Sequence, residues 1–279
     1  MSDYVIRATD ELIGEGQYLL VSTHAWSMGF HSFLSGRDGV PETRYAVLAE
    51  QRRDRWLPAD PAADWFSDQR DTGRRIWVLG AEEQAHADGI DLEQPSRTQA
   101  TQPGQAHSEH PTRHRAAAVE PHAGSWQQPD HRFLAELPRE PHPLLRRLQH
   151  DSPDTPFSGP FTSAADLLRS GRVPAELREA IYQALVQLDD VELIDQATDV
   201  DGHTRLALRW HSPHRDRDLL VDPDTGHYAG EHDTVTSDTG RLPAGTTAAT
   251  TSVLTAVVDH LGDIPTAIGT RRSGVPRTG

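Results

Sequence analysis

Between Pro174 and Tyr228 the apolar positions change period once, and that change divides a helix from a run of strands. Leu177, Ile181, Leu185 and Leu188 recur at helical spacing, with Ala180 and Ala184 beside them, so one face is apolar. Pro174 suits the first helical position, where its missing N–H is not needed, and Glu176 favours the positive helix end. Beyond Leu188 the period falls to two. Val191 and Leu193 alternate with Glu192, and Leu206, Leu208 and Trp210 alternate with Arg205, Ala207 and Arg209. Strands with one apolar and one charged face belong to an antiparallel sheet with one solvated side. Asp222-Pro223-Asp224-Thr225-Gly226 supplies a turn between Leu220 and Tyr228, with Gly226 suited to a positive φ. The helix is thus placed to cover the apolar face of the meander that follows it.

The same reading extends along the rest of the chain. Ser2 caps an expected helix over 3–13, with Val5, Ile6, Leu12 and Ile13 on one side and Gly14 and Gly16 ending it. Strands are expected over 17–28 and 44–56, joined by a glycine-containing connection over 30–41. Two prolines make 56–61 a turn. Short strands over 65–70 and 75–79 flank Asp71-Thr72-Gly73, and a short helix covers 81–87. From 94 to 130 polar residues, Pro and Ala dominate, and Val119 and Trp126 are the only large apolar residues. Such a stretch cannot bury enough apolar surface to offset its ordering entropy, so it reads as a disordered polar loop. Order returns at Phe133, a helix follows over 142–150, and Pro153, Pro156 and Pro160 mark a linker. Ser163 caps a helix over 164–170 ended by Gly171, and strands over 227–236 and 246–259 complete the set. About nine strands and four or five short helices with no βαβ rhythm define an α+β fold with one large antiparallel sheet. It forms a single domain over 1–265, interrupted by the 94–130 loop and followed by a flexible tail over 266–279.

Composition narrows the function classes. The 279 residues carry 27 basic side chains, all of them arginine, against 42 acidic ones, for a net charge of −15. That balance argues against nonspecific nucleic-acid binding and against docking on anionic membrane by charge. There is no cysteine, which excludes disulfides, thiol nucleophiles and thiolate metal sites. No run approaches the ~18 apolar residues of a membrane helix, and Met1 to Tyr4 do not open a signal peptide, so the chain as written reads as cytoplasmic.

Candidate chemistry is sparse. His107, His110 and His114, followed by His122 and His131, have metal-compatible spacing, but a polar loop offers no second shell to hold them, and they read as spacer. Asp222 and Asp224 echo a calcium loop, yet Gly226 falls at the fifth position rather than the sixth and Asp233 replaces the closing Glu, so the turn reading prevails. Arg205, Arg209, His211, His214, Arg215 and Arg217 form either an anion site or a solvated face paired with Asp216 and Asp218; the paired face is the expectation. No metal and no cofactor is expected. Trp26, Trp56, Trp65, Trp77 and Trp210 lie on strands, where aromatics are ordinarily core. No GxSxG, HExxH, Walker loop or GxGxxG is present.

Five segments in order carry a resemblance: Tyr18 to Thr23, Trp56 to Asp60, Phe133 to Pro138, Leu167 to Arg178, and Leu220 to Gly226. They resemble an uncharacterised family of actinobacterial membrane-anchored proteins over most of 4–265, the polar loop excluded. In that family a single membrane helix usually precedes this region, and members look like regulators associated with extracytoplasmic-function sigma factors. The outer domain is similar to the periplasmic lipoprotein carrier and lipoprotein-sensor folds. The resemblance therefore implies a curved, half-barrel-like sheet with short helices, and sometimes a lipid, on its concave face. It implies an extracytoplasmic location if a membrane helix precedes Met1, and it carries over no catalytic residue. The expected function is a non-enzymatic binding or sensor domain that engages a lipid, a lipoprotein segment or a protein partner. Trp26, Trp56, Trp77, Ile181 and Trp210 are its expected apolar contacts. The alternatives are a hydrolase with an unrecognised site, marked by a His bonded to both a Ser and an Asp, and a structural domain whose groove is filled by its own helices.

Overall fold

The strands, in chain order, are β1 (Tyr18–Ser35), β2 (Val40–Pro58), β3 (Trp65–Leu79), β4 (Thr112–His114), β5 (Val191–Thr198), β6 (Thr204–Ser212), β7 (Arg215–Val221), β8 (Tyr228–Val235) and β9 (Thr247–Val258). The helices are α1 (Glu82–Ala87), α2 (His131–Glu136), α3 (Pro141–Asp151), α4 (Pro160–Arg169), α5 (Ala175–Leu185) and α6 (Thr266–Gly269). The computed structural model describes residues 6–35, 40–60, 63–90, 112–114, 124–153, 155, 158–238, 242–269 and 274–276; over 31–35 and 40–42 it describes the backbone.

All nine described strands form one open, curved, antiparallel sheet in the order β4-β3-β2-β1-β9-β8-β7-β6-β5. The chain builds one meander outward from β1 to β4, crosses one face as α2 to α5, and builds a second meander inward from β5 to β9. The two halves close where β1 pairs with β9, Val21 opposite Thr255 and Ala25 opposite Thr251.

Alternation along the strands sorts side chains onto two faces. Leu19, Val21, Leu57, Leu206, Leu208, Leu219, Val221 and Val253 form one core with the apolar sides of α2 to α5. Within α5, Leu177, Ile181 and Leu185 are fully buried, as their spacing requires. The second face has its own core of Leu20, Trp56, Val258 and Ile268, covered by the chain that follows β9. Trp56 Nε1 donates to the Asp263 carbonyl at 3.1 Å, and Trp26 Nε1 to that of Gly274 at 3.1 Å. On this face His24, fully buried, bridges Asp201 (2.6 Å from Nδ1) and Glu50 (2.8 Å from Nε2). Burial pushes the Glu50 carboxyl up, but hydrogen bonds from Thr72 and His24 and the charge of Arg74 outweigh it and hold it below its ordinary value. Asp201 belongs to the β5–β6 turn, and Asp199 of the same turn accepts from Ser252 of β9 at 3.0 Å. A flat sheet would separate β6 from β1 by about 19 Å, four strand spacings. The contact therefore requires the sheet to bend and the turn to fold beneath it.

Several expectations change. Residues 6–14 form no helix. Tertiary bonds tie them down instead: Ala8 N donates to Glu179 Oε1 (2.8 Å), Thr9 N to the Thr225 carbonyl (3.0 Å), and Arg178 to Asp10 Oδ1 (2.8 Å). These bonds outweigh a weak local preference. β1 continues to Ser35, and β2 begins at Val40, where a connection was expected, because the two strands keep pairing. The two short strands over 65–79 are one strand, β3, whose register slips opposite Ala49 and Gln51 while Gly73 takes φ +77°. Inside the expected 94–130 loop, Thr112–His114 pairs with β3 and Trp126 is buried, edge-on to Phe133 at 5.2 Å; the residues over 94–111 and 115–123 lie outside those described. Within the expected tail, α6 forms and buries Ile268.

Candidate functional site

The helix-covered face is not filled along its whole length. Core residues are large through the row Leu57–Leu19, and then the facing positions shrink. Across β2, β1 and β9 the rows run Arg55–Val21–Thr255, Arg53–Thr23–Val253 and Gln51–Ala25–Thr251, with Ser27 beside Ala249 next. Small side chains cannot reach the layer above them, and a cavity of about 710 Å³ results. Leu168 and Arg169 at the end of α4, then Gly171 and Val173, form its helical wall. Gly171 takes φ +70°, and a Cβ there would lie 3.0 Å from Val21 Cγ2. Only glycine lets the end of α4 approach the sheet this closely.

The lining is mixed, apolar on the floor and charged at the walls. Arg169 grips Glu231 of β8 through two bonds of 2.6 Å and also pairs with Asp166. Burial works against the Arg169 charge, but Glu231, Tyr228 and Asp166 outweigh it and hold the guanidinium above its ordinary pKa. Tyr228 donates to Glu231 Oε1 at 2.7 Å, and burial, then the Glu231 charge, push the phenol well up. Arg215 bonds Asp233 at 2.9 Å, with Arg217 at 3.8 Å. Arg178, buried, is spent on the chain itself, donating to Asp10 and to the carbonyls of Thr9, Val173 and Gly226.

Two arginines of the floor are held differently. Arg53 is exposed and bonds the neutral amide oxygen of Gln69, at 3.1 and 2.8 Å. Arg55 is half-buried and donates to the carbonyls of Ser170 (3.2 Å) and Arg169 (2.7 Å), the negative end of α4. Its Nε is enclosed and bonds none of the described residues. Among the described residues neither arginine has a carboxylate within ion-pair distance. Burial, then the like charges of Arg53 and Arg172, lower Arg55 to about 10. His227 closes one side; burial and the Arg178 charge lower it to about 4, and its buried Nε2 has no partner among the described residues.

The five expected contact residues are not brought together, and none lines this cavity. Trp26 and Trp56 are buried on the other face. Trp77 packs edge-on to Tyr45 at 6.1 Å, and Ile181 is sealed in the helix–sheet core. Trp210 stacks on Phe161 at 5.8 Å and donates to Asp190 at 2.6 Å. Of the residues read as a solvated face paired with Asp216 and Asp218, Arg209 pairs with Asp218 (2.6 and 2.8 Å) and His211 with Asp216 (2.9 Å), whereas Arg205 is buried against Asp199 (3.2 Å) and Asp222, Arg215 and Arg217 turn to Asp233, and His214 bonds Ser237. Asp222 also accepts from Asp224 N, Thr225 N and Thr225 Oγ1, as a turn residue does. His114 stacks on Trp65 at 4.1 Å and bonds Ser67 at 2.7 Å, whereas His107, His110 and His122 lie outside the described residues. No group of three His, Asp or Glu among the described residues could hold a metal ion. No described helix is long and apolar enough to cross a membrane.

Fold and site together define an α+β protein with an open antiparallel sheet, helices over one face, and a part-apolar, arginine-rich cavity beneath them. No family model, no curated protein and no solved structure matches the chain.

Proposed function

We propose that the domain is a non-enzymatic binding or sensor module that takes an apolar ligand, a lipid or lipoprotein segment, into the space between α4 and the β1–β9 floor. The observation that supports this is the cavity: about 710 Å³, with Val21, Ala25, Leu168, Val173, Ala249 and Val253 in its lining. Small-molecule sites are concave, mostly apolar and roughly 300–1,000 Å³. The ligand lies ahead of the start of α5 rather than beneath its middle, since Ile181 and Leu185 are already packed. The hydrolase alternative has less support. The Ser67–His114 and Ser237–His214 pairs have no carboxylate on the other ring nitrogen among the described residues, and His24 bridges two carboxylates out of solvent contact.

The test is titration with a fluorescent fatty acid, comparing the natural chain with Ala249→Trp, which fills the floor. Saturable 1:1 binding, weakened at least about tenfold in a folded variant, is the expected result. Failure of the natural chain to bind any apolar probe saturably would end the proposal.

A further inference from the structure

We infer that the cavity selects an amphiphile whose head is an anion, a carboxylate or a phosphate, seated between Arg53 and Arg55; this rests on the binding reading proposed above. Three observations carry it. First, Arg53 and Arg55 stand at alternate positions on one face of β2, about 7 Å apart along the strand, and both line the cavity. They share a parity with Leu57, so they continue the row that becomes the apolar core. Second, the charge around them is unevenly balanced. Arg169, Arg178, Arg215 and Arg217 have carboxylate partners, whereas Arg53 and Arg55, and Arg52 between them on the other parity, have none among the described residues. In a chain of net charge −15 with 42 acidic residues, carboxylates are abundant, yet none of the described ones reaches this pair. Third, the enclosed Nε of Arg55 has its hydrogen unused, while its two terminal nitrogens are fixed by the end of α4. Arg53 keeps its second terminal nitrogen, Nη1, beyond the Gln69 bonds and Arg55 keeps Nε, and a bond from such a donor to a charged acceptor is among the stronger ones. Burial first, and then the like charges of Arg53 and Arg172, lower Arg55 in the same surroundings.

The apolar part of the ligand has a defined path. From the arginine rows the floor continues along β1 through Ala25 and Ser27, with Ala249 beside them, and Met28 and Phe30, of the opposite parity, border the same space. A single chain laid along β1 therefore has its head on Arg53 and Arg55 and its tail toward Phe30. A cationic or headless chain would fill the same floor while leaving the arginines short of counter-charge.

The experiment compares dodecanoate, dodecyl phosphate, dodecanol, dodecyltrimethylammonium and inorganic phosphate, by calorimetry and by displacement of a bound fluorescent probe. The expected result is saturable binding of the two anionic amphiphiles, at least tenfold tighter than dodecanol or the cation. Arg53→Gln should weaken the anions about tenfold and leave dodecanol unchanged, while Arg53→Lys should recover part of the loss. Arg53→Gln is the primary variant because its only described partner is the Gln69 amide, whereas Arg55→Gln also releases the end of α4. Inorganic phosphate binding at least tenfold more weakly than dodecyl phosphate supports a lipid head as the source of the anion. Phosphate binding equally tightly would overturn the amphiphile and leave a free-anion site. If dodecanol binds as tightly as dodecanoate, the anionic head is refuted while the apolar cavity stands. If no amphiphile binds saturably, both readings fall.

Discussion

Part of the acid sensitivity of this fold should trace to one ring. His227 sits beside the cavity, part-exposed, with Nε2 enclosed and without a partner among the described residues, and burial together with the Arg178 charge lowers it to about 4. In the unfolded chain the same ring titrates at 6.5. Between those values the unfolded state binds a proton that the folded state refuses, so unfolding is favoured as pH falls. The contribution of His227 is therefore fully present above pH 6.5, shrinks from there to about pH 4, and is then flat. A gap of about 2.5 pH units, at ~1.36 kcal/mol each, sets a ceiling of about 3.4 kcal/mol. Solvent screening of a part-exposed ring brings the expected figure to about 1–2 kcal/mol. Urea unfolding of the natural chain and of His227→Gln at pH 7.5 and 4.5 isolates the effect, because the carboxylates titrate alike in both. The natural chain should lose about 1–2 kcal/mol more than the variant on going to the lower pH. Parallel profiles would show that His227 is protonated in the folded state as readily as in the unfolded one, and the reasoning would fail.

Leu185→Ala removes a fully buried side chain from the α5 face and should cost about 2–5 kcal/mol in urea unfolding; a loss under ~1 kcal/mol would mean the helix–sheet core is not packed as described. Trp126→Ala should cost about 3–5 kcal/mol, since Trp126 is buried against Phe133 and donates to Asp151, whereas a residue of a mere spacer would change nothing measurable. Gly171→Ala combines a left-handed φ of +70° with a Cβ 3.0 Å from Val21, and should cost roughly 1–2 kcal/mol or more; a neutral result would show that α4 can withdraw from the sheet freely.

Much of the fold was legible from periodicity. α5, the β5 to β9 meander and the Asp222 turn are dictated by neighbours in the chain, so alternation and helical spacing locate them within a few residues. What local pattern cannot register is a segment held by distant partners. Val5, Ile6, Leu12 and Ile13 have helical spacing, yet Ala8, Thr9 and Asp10 are bound one by one by Glu179, Thr225 and Arg178, more than 160 residues away. Trp126 shows the same limit from the other side. One aromatic in a polar stretch is too little for a compositional signal, but it is enough to anchor the chain when Phe133 and Asp151 are waiting for it.

The site was harder to read, and the reason is parity. Tryptophans on strands are ordinarily core, and the expected ligand contacts drew on those that a curved sheet would turn to its concave side; alternation places Trp26 and Trp56 on the same side as Leu20 and His24, where the chain after β9 covers them. The informative signal lay in Gln51-Arg52-Arg53-Asp54-Arg55, which reads as too charged for burial on both faces. Continued to Leu57, its odd positions join an apolar row, so a charged pair must interrupt the core face of β2. Arginines in that position call for compensation, because burying unpaired charge is expensive. For Arg55 the carbonyls at the end of α4 supply part of it, and the remaining donor, Nε, has no partner among the described residues. That unmet demand arises only once α4, far along the chain, has come to rest on β2. It is a property of two segments more than a hundred residues apart, and no window of sequence contains both.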